Sequence, residues 1–497
     1  MLNQREEILT GLAGIGFLGA KAEAFDSHSL LRSTLIVPHH LHFLEPNILL
    51  ILGERGAGKS HLFQLVNSPQ AQPILKSRRP RRRRPRHAIW TTGFYTRSLK
   101  NLAPLYFPIK EVLQRFAKGR SQTELLDFWR GLLIGAILKQ VEPEYKDLLH
   151  EHLPDSTVQA LSNLTHISGW HSEIVTHLEA VESALNQLDQ TLASQNRFLF
   201  VTYDDLDVMA VEWREKRALI QSLLRFWSSQ WRRWRGLRPK IFLRLDLFTP
   251  EFLQFPDALK LGGHKMELHW RSLDLYQLAF KAWANSNAAS LDYLSQAGLS
   301  MVEDELLGWT YSEPRPSESA LRAVVHQMMG QFMGGGLTKG RTFEWIPNHL
   351  RDTNRKIVPR SYLNLLAQAA KDELENARAK DNFLLSPLSI VRSIEAVSEY
   401  RIRELGEEYP WLEILSPIFN DLDIPITRKK LTNLLRGIEW QNEEPSRGPS
   451  RQSPSEIVDD LLKIGILRLT SDRRIHVPDL YLYGFKMKRR GGIRRPR

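Results

Sequence analysis

The chain has 497 residues, 42% of them hydrophobic and 25% charged, with a formal charge of +12; these are ordinary globular values that exclude a fibrous repeat and wholesale disorder. At roughly 150 residues per domain the length predicts about three units. No cysteine occurs, which excludes disulfides, thiolate metal sites, iron–sulfur clusters and thiol nucleophiles and fits a reducing, cytoplasmic setting.

In chain order, residues 1–45 read as an N-terminal segment in which Glu6, Glu7 and Asp26 interrupt short apolar stretches. No export signal is expected. No apolar run approaches the roughly 20 residues that span a bilayer, so no membrane partner is expected either. The run 47–52 (NILLIL) then reads as a buried strand, followed at once by Gly53, Glu54, Arg55, Gly56, Ala57, Gly58, Lys59 and Ser60 and by a helical stretch opening at His61. Strand, glycine loop and helix in this order form a phosphate cradle: the backbone must turn consecutive N–H groups inward, along a path that side chains would obstruct. Lys59 is placed to reach β- and γ-phosphates and Ser60 to coordinate Mg²⁺, while the helix N-terminus favours the same anion. The expected ligands are ATP, or another nucleoside triphosphate, and Mg²⁺.

Between Lys76 and Arg86 lie eight basic residues and no acid, and the tail from Lys486 to Arg497 holds seven more. The remainder is about neutral, at −3. Pro80 and Pro85 predict an extended loop, and both segments suit sequence-independent, salt-sensitive contact with nucleic-acid phosphates; a merely solvated insertion is the other reading. A second strand is expected over 87–95. Residues 100–195 read as a helical insertion: Ile109, Val112, Leu113 and Phe116 recur at helical spacing, and Ser121 with Glu124 forms a capping box. His39, His40 and His42, and then His166, His171 and His177, lack a metal-binding frame and read as structural or surface residues.

Residues 197–207 (RFLFVTYDDLD) form an apolar strand that ends in clustered aspartates. Asp204 is the Mg²⁺ candidate; Asp205, or otherwise Asp207, would polarise an attacking water. Residues 240–246 (KIFLRLD) form another strand with Arg244 and Asp246 inside it, either sensing hydrolysis near the γ-phosphate or pairing to support the sheet.

These segments together resemble the AAA+/STAND division of P-loop ATPases, with an acidic motif closest to the STAND and KAP-like branches. The resemblance implies an α/β fold: a P-loop core over 46–270 with a parallel sheet, a helical lid over 271–385 and a winged-helix-like domain over 386–497. It makes the stretch 266–274 the last core strand and lid approach. It makes Arg360, in the first turn of a helix after Pro359, a contact of the γ-phosphate; a plain surface arginine is the alternative. The helix beyond shows Tyr362, Leu363, Leu366 and Ala370 on one face. Asp205 stands where most AAA+ enzymes carry glutamate, which points to slow turnover. The C-terminal region reads as a helix over 427–436, a polar linker, a helix capped by Ser453 and Glu456 with Ile457, Val458, Leu461 and Leu462 inward, and a hairpin over 466–477. The order of parts is similar to replication-initiator ATPases and to predicted bacterial ATPases of defence-related gene clusters. The implied function is a nucleotide-driven switch or motor, in which bound nucleotide sets the angle between core and lid. The implied partners are DNA, a protein partner or effector, and further copies of the chain, with Arg271 a candidate to complete a neighbour's site. Candidate DNA contacts are Arg428, Lys429, Lys430, Arg468, Arg473 and Arg474. The alternative is a protein-interaction scaffold or signalling switch with slow or no hydrolysis.

Overall fold

The computed structural model describes residues 4–16, 27–77, 87–96, 107–162, 164–249, 252–253, 255, 258–334, 336–376, 383–438 and 453–490. The arginine run 78–86, the linker 439–452 and the last residues 491–497 lie outside the described residues. The chain forms two compact units, one comprising Ile36–Glu54 and Gly58–Leu268, the other Met1–Leu35, Arg55–Ala57 and His269–Arg497. They are called here the sheet unit and the helical unit. The stretch 1–45, expected as one segment, is divided between them.

The sheet unit is α/β. Its strands are β1 (Leu50–Gly53), β2 (His87–Phe94), β3 (Arg197–Tyr203), β4 (Leu237–Arg244) and β5 (Lys265–Glu267), in the order β2–β3–β4–β1–β5 with every pairing parallel. Strands covered on both faces read as continuous apolar runs rather than alternating ones, and all four residues of β1 are buried. The chain passes from β1 to the far edge at β2, returns through β3 and β4, and then crosses β1 to reach β5. The order therefore reverses beside β1, and the crevice outside the carboxyl ends of such strands is where ligands bind. β4 ends at Arg244, and Asp246 lies in the short 3₁₀ turn Leu245–Leu247 beyond it; the expectation of both charges inside a strand is corrected. A carboxylate within the central ladder would be buried among apolar neighbours, whereas the turn leaves it partly exposed.

The insertion is helical: Lys110–Ala117, Gln122–Gln140, Pro143–His152, Asp155–Leu161, Ile167–Thr176 and Leu178–Ser194. Ser121 and Glu124 form the expected capping box at the second of these. Trp129 of that helix is fully buried and donates its indole N–H to the Leu219 carbonyl (3.1 Å) and the Ser222 hydroxyl (2.9 Å). Gln140 accepts from the backbone N–H of Thr92 (2.7 Å) and the hydroxyl of Thr91 (2.9 Å), fastening the insertion to β2. Of the four apolar residues expected to share a packed face, Leu113 and Phe116 are buried, but Ile109 and Val112 are exposed. Ile109 is the residue at which the helix is capped, ahead of its packed turns.

The helical unit contains the helices Ser272–Ala284, Ala288–Gln296, Glu318–Met329, Thr342–Leu350 and Pro359–Glu375 and an antiparallel hairpin of β6 (Met301–Asp304) and β7 (Gly308–Tyr311), the first of these helices packing against β7. The N-terminal helix Gln4–Ala13 packs against this set. Arg5 pairs with Glu373 at 3.2 Å, and Trp283 donates to the Ile8 carbonyl at 3.1 Å. Pro359 opens its helix as expected, and Tyr362, Leu363, Leu366 and Ala370 are all buried. Further on come Pro387–Glu408, Leu412–Phe419, Arg428–Leu435 and Pro454–Lys463. β8 (Asp423–Ile424) pairs in parallel with β12 (Lys488–Arg489), while β9 (Ile426–Thr427), β10 (Arg468–Leu469) and β11 (Arg474–His476) make an antiparallel sheet in the order β10–β11–β9. Two helices closed by a small sheet match the winged-helix reading, with β9 an unanticipated third strand. Ser453 and Glu456 form the second expected capping box. Ile457, Val458 and Leu461 are buried, while Leu462 is only half-buried.

Candidate functional site: the loop after the first strand

β1 runs into a loop whose Gly56 (φ 80°) and Gly58 (φ 96°) occupy the left-handed region, where a side chain costs roughly 1–2 kcal/mol. Space matters as much at Gly56. A Cβ there would lie 3.1 Å from Cβ of Arg360 and 3.5 Å from Cγ2 of Val358, at the head of the Pro359–Glu375 helix. Ala57 offers its carbonyl to the indole N–H of Trp270 at 2.9 Å. The helix Lys59–Val66 begins directly after Gly58. Behind it, Asn67 bonds the Phe63 carbonyl (2.9 Å) and Thr202 of β3 (3.0 Å), and Thr92 of β2 donates to Asn67 (3.2 Å). These buried bonds, each contributing about 1 kcal/mol net, lock the loop's helix to two strands that are distant in sequence.

Lys59 donates its ammonium to the carbonyls of Gly53 and Glu54, both at 3.0 Å. Asp204 follows β3 directly, is 3% exposed, and has the Ser60 hydroxyl near enough to favour its charged form. Its Oδ2 is buried with no hydrogen-bond partner among the described residues. Burial first, and the neighbouring charge of Asp205 second, push its carboxyl up to about 7, against the opposing influence of Ser60 and Lys59. A buried acid with one unsatisfied oxygen beside a hydroxyl is an oxygen donor set suited to a hard divalent cation, so these residues fit Mg²⁺.

Asp205 is buried with a left-handed backbone (φ 56°), and its carboxylate accepts from the Thr96 hydroxyl. Arg244 stands in register with Gly53 across the β1–β4 pairing. Its guanidinium grips Asp246 through two bonds of 3.0 and 2.7 Å and meets Asp207 at 3.5 Å. Lys216, whose ammonium burial pushes downward, feels the charges of Asp207, Arg244 and Asp246. Thus the structure brings together Lys59, Ser60, Asp204 and Asp205, and separately joins Asp207 to Arg244.

Within the helical unit, Arg360 pairs with Glu404 of the Pro387–Glu408 helix. Arg55 also lies against Glu404 (3.8 Å to its carboxylate, 3.3 Å to its carbonyl) and pairs with Glu407. Arg271 is held by Asp274, two guanidinium bonds of 2.8 Å. In the winged-helix region Arg428 is bound to Asp459 at 2.7 Å and Arg474 to Asp472 at 2.7 Å; the Arg474 guanidinium holds Asp472 down at about 2.

Sequence reasoning missed Asn67, Thr96, Trp270 and Glu404. Thr96 had a usable signal, since it lies just past the end of β2 and parallel strands present their carboxyl ends to one edge. Glu404 had none.

Among the described residues no group of three or more histidines or acids is gathered as a metal-holding set, and no helix is long and apolar enough to cross a membrane. No family model matches the chain, and no curated protein matches it in sequence. Solved structures similar to it include the following two. Cdc6p from Pyrobaculum aerophilum is 12% identical, with 88% of this chain and 86% of that one covered and a TM-score of 0.28. The ORC2 protein of Aeropyrum pernix, solved as ADPNP–ADP complexes, is 12% identical, with 92% and 91% covered and a TM-score of 0.35. The α/β assignment stands on the parallel five-stranded sheet itself.

Proposed function

We propose that this chain binds ATP with Mg²⁺ on the loop Gly53–Ser60 and hydrolyses it slowly, as a nucleotide-driven switch or motor of the AAA+/STAND type that engages DNA. The observation that carries the reading is the Ser60–Asp204 contact beside Lys59: a hydroxyl, a buried acid with an unsatisfied oxygen, and an ammonium at the start of a helix. In this reading the backbone of residues 53–61 cradles the phosphates, and Lys59 leaves the loop carbonyls for the β- and γ-phosphates. Ser60 and Asp204 hold Mg²⁺, which when bound neutralises phosphate charge. Asp205 orients the attacking water. Asp207 steadies Arg244, whose strand end adjoins the loop, and Arg360 supplies a further phosphate contact. The basic run 76–86, the tail and the winged-helix residues Lys429, Lys430, Arg468 and Arg473 supply DNA contacts, in genome maintenance or phage defence. Self-assembly and a protein effector complete the proposal.

A slower switch or scaffold is favoured by one feature. Asp205 is a methylene shorter than glutamate and is tied to Thr96, so its reach towards a water is restricted. The deciding test is labelled-ATP binding and turnover with and without DNA. Lys59→Ala is expected to weaken binding by about 100-fold or more. Equal binding by this variant removes the ATP site. Asp205→Ala is expected to abolish turnover while sparing binding, and DNA is expected to change the rate at low salt and not at high salt. No effect of DNA at low salt would leave the switch reading in its place.

A further inference from the structure

Residues 231–240 of the sheet unit (WRRWRGLRPK) hold five basic residues and no acid. Two of the five are used inside the fold. Lys240 is fully buried with its ammonium on the carbonyls of Glu45 and Ile48, and Arg238 donates to the Trp231 carbonyl. The other three, Arg232, Arg233 and Arg235, are exposed. They occupy the short loop between the helix Trp213–Gln230 and Leu237, the first residue of β4.

The loop is held by its backbone and its apolar side chains, not by these arginines. The buried carboxylate of Asp189, on the helix Leu178–Ser194, accepts from the backbone N–H groups of Arg235 (2.9 Å), Gly236 (2.7 Å) and Leu237 (2.9 Å). Gly236 lies so close to the same helix that a Cβ would stand 2.5 Å from Cβ of Leu192. Trp234 is 2% exposed and donates its indole N–H to Asn186 at 2.9 Å. Trp231 is half-buried against His264, with ring centroids 4.1 Å apart, and carries the Arg232 guanidinium 5.3 Å from its ring.

The charge of the loop is poorly matched. Arg233, with a side chain 56% exposed, meets Glu182 only at 3.7 Å, and that carboxylate is already bonded by Arg130 at 2.7 Å. Arg232 and Arg235 have no ion pair among the described residues. A helix C-terminus favours a cation, but that attraction fades within the last turn, and Arg235 stands past it at the entry to β4. A preformed loop presents guanidinium forks to phosphate oxygens with little ordering left to oppose binding. We propose that Arg232, Arg233 and Arg235 form a surface that binds the phosphate backbone of nucleic acid, built from residues other than the basic segments and winged-helix residues named above. β4 runs from this loop to Arg244, beside Gly53, so the surface lies at the opposite edge of the sheet from the phosphate loop, roughly 23 Å away by the length of the strand. It does not rest on the ATP reading. Contact is with phosphates and not with bases, because both tryptophans pack inward instead of offering a free stacking face. The same inward packing disfavours an anionic bilayer, whose interface takes up exposed aromatic and long apolar side chains.

The test is titration of the full chain, without nucleotide and across a range of salt, against fluorescent duplex DNA, a single strand of the same sequence, and phosphatidylserine-containing vesicles. Arg232→Gln, Arg233→Gln and Arg235→Gln together are expected to weaken nucleic-acid binding on the order of 100-fold at about 0.1 M salt and to flatten the slope of log K against log salt by about 2–3 units. Arg235→Gln alone is expected to cost about tenfold and about one unit of slope. Changing all three to lysine keeps the charge and is expected to keep the slope. A slope unchanged in the triple glutamine variant overturns the proposal, as does one lost equally in the lysine variant, which would make the loop's shape and not its charge responsible. A wild type that binds neither nucleic acid, or that binds the vesicles more tightly and loses them with the three arginines, also overturns it. If the triple variant fails to fold, Arg235→Gln decides. A slope lowered by Lys429→Ala with Lys430→Ala but not by the loop variants defeats this surface and leaves the winged-helix contacts standing; the converse supports this surface by itself.

Discussion

Asp204, directly after β3 in the sheet unit, and Glu404, on the Pro387–Glu408 helix of the helical unit, are carboxylates buried to nearly the same degree, at 3% and 4% exposure. Their surroundings differ in kind. Asp204 has a hydroxyl, a neighbouring aspartate and a lysine whose ammonium is engaged by the carbonyls of Gly53 and Glu54, and one of its oxygens has no hydrogen-bond partner among the described residues. Glu404 is ringed by Arg55, Arg360 and Arg401. Removing a charge from water is costly unless a partner replaces the solvent. One carboxylate is thus short of positive charge and suited to receive a cation. The other already has its charge met by guanidinium groups.

Breaking the ringed carboxylate is expected to have the largest effect. Glu404→Ala takes away the carboxylate that Arg360 and Arg401 face, at a cost of about 3–5 kcal/mol by analogy with other broken buried pairs; chemical denaturation measures it, and a loss below about 1 kcal/mol would mean that the arginines find water instead. Next comes the loop that lies against Arg360. Gly56→Ala adds a Cβ at φ 80° and 3.1 Å from Arg360 Cβ, so about 2 kcal/mol is expected, together with weaker ATP binding. A variant as stable as wild type would show that the loop can move away at no cost.

A pH-dependent effect sharpens the contrast at Asp204. Its folded carboxyl lies above the unfolded value, so metal-free protein binds a proton more tightly when folded. Stability from this group is complete below about pH 4 and declines as pH rises towards about 7, where the folded carboxyl also ionises. Asp204→Asn removes that slope. In the absence of metal the variant is expected to match wild type near pH 4 and to exceed it at pH 8. With Mg²⁺ and ATP the order reverses, since an anionic carboxylate holds the cation more strongly than a neutral amide. An asparagine variant less stable than wild type at pH 8 without metal would show that the buried oxygen is already satisfied.

Much of the local geometry of the candidate loop was legible because its signals are local. The glycine loop needs left-handed residues at Gly56 and Gly58, and the capping boxes at Ser121 and Ser453 need partners only three residues away. Where local pattern misled, neighbours in space had intervened. Ile109 follows the helical period of Leu113 and Phe116, yet it precedes the packed turns and stays exposed. Asp246 continues the apolar alternation of β4 but has already left the ladder, where its carboxylate can grip Arg244.

The sequence by itself determined the strand, loop and helix that present Lys59 and Ser60, the aspartate-ended strand, and the caps and apolar faces of the helices, because each depends on residues within one or two turns of each other. Only the tertiary structure decided that β4 lies between β1 and β3, that Asp204 meets Ser60, and that Glu404 meets Arg55 across 349 positions of chain. The reason is physical: a side chain's local propensity is set by its own backbone, whereas the partner of a buried charge is set by how whole elements pack, and many packings would offer that charge some counterion.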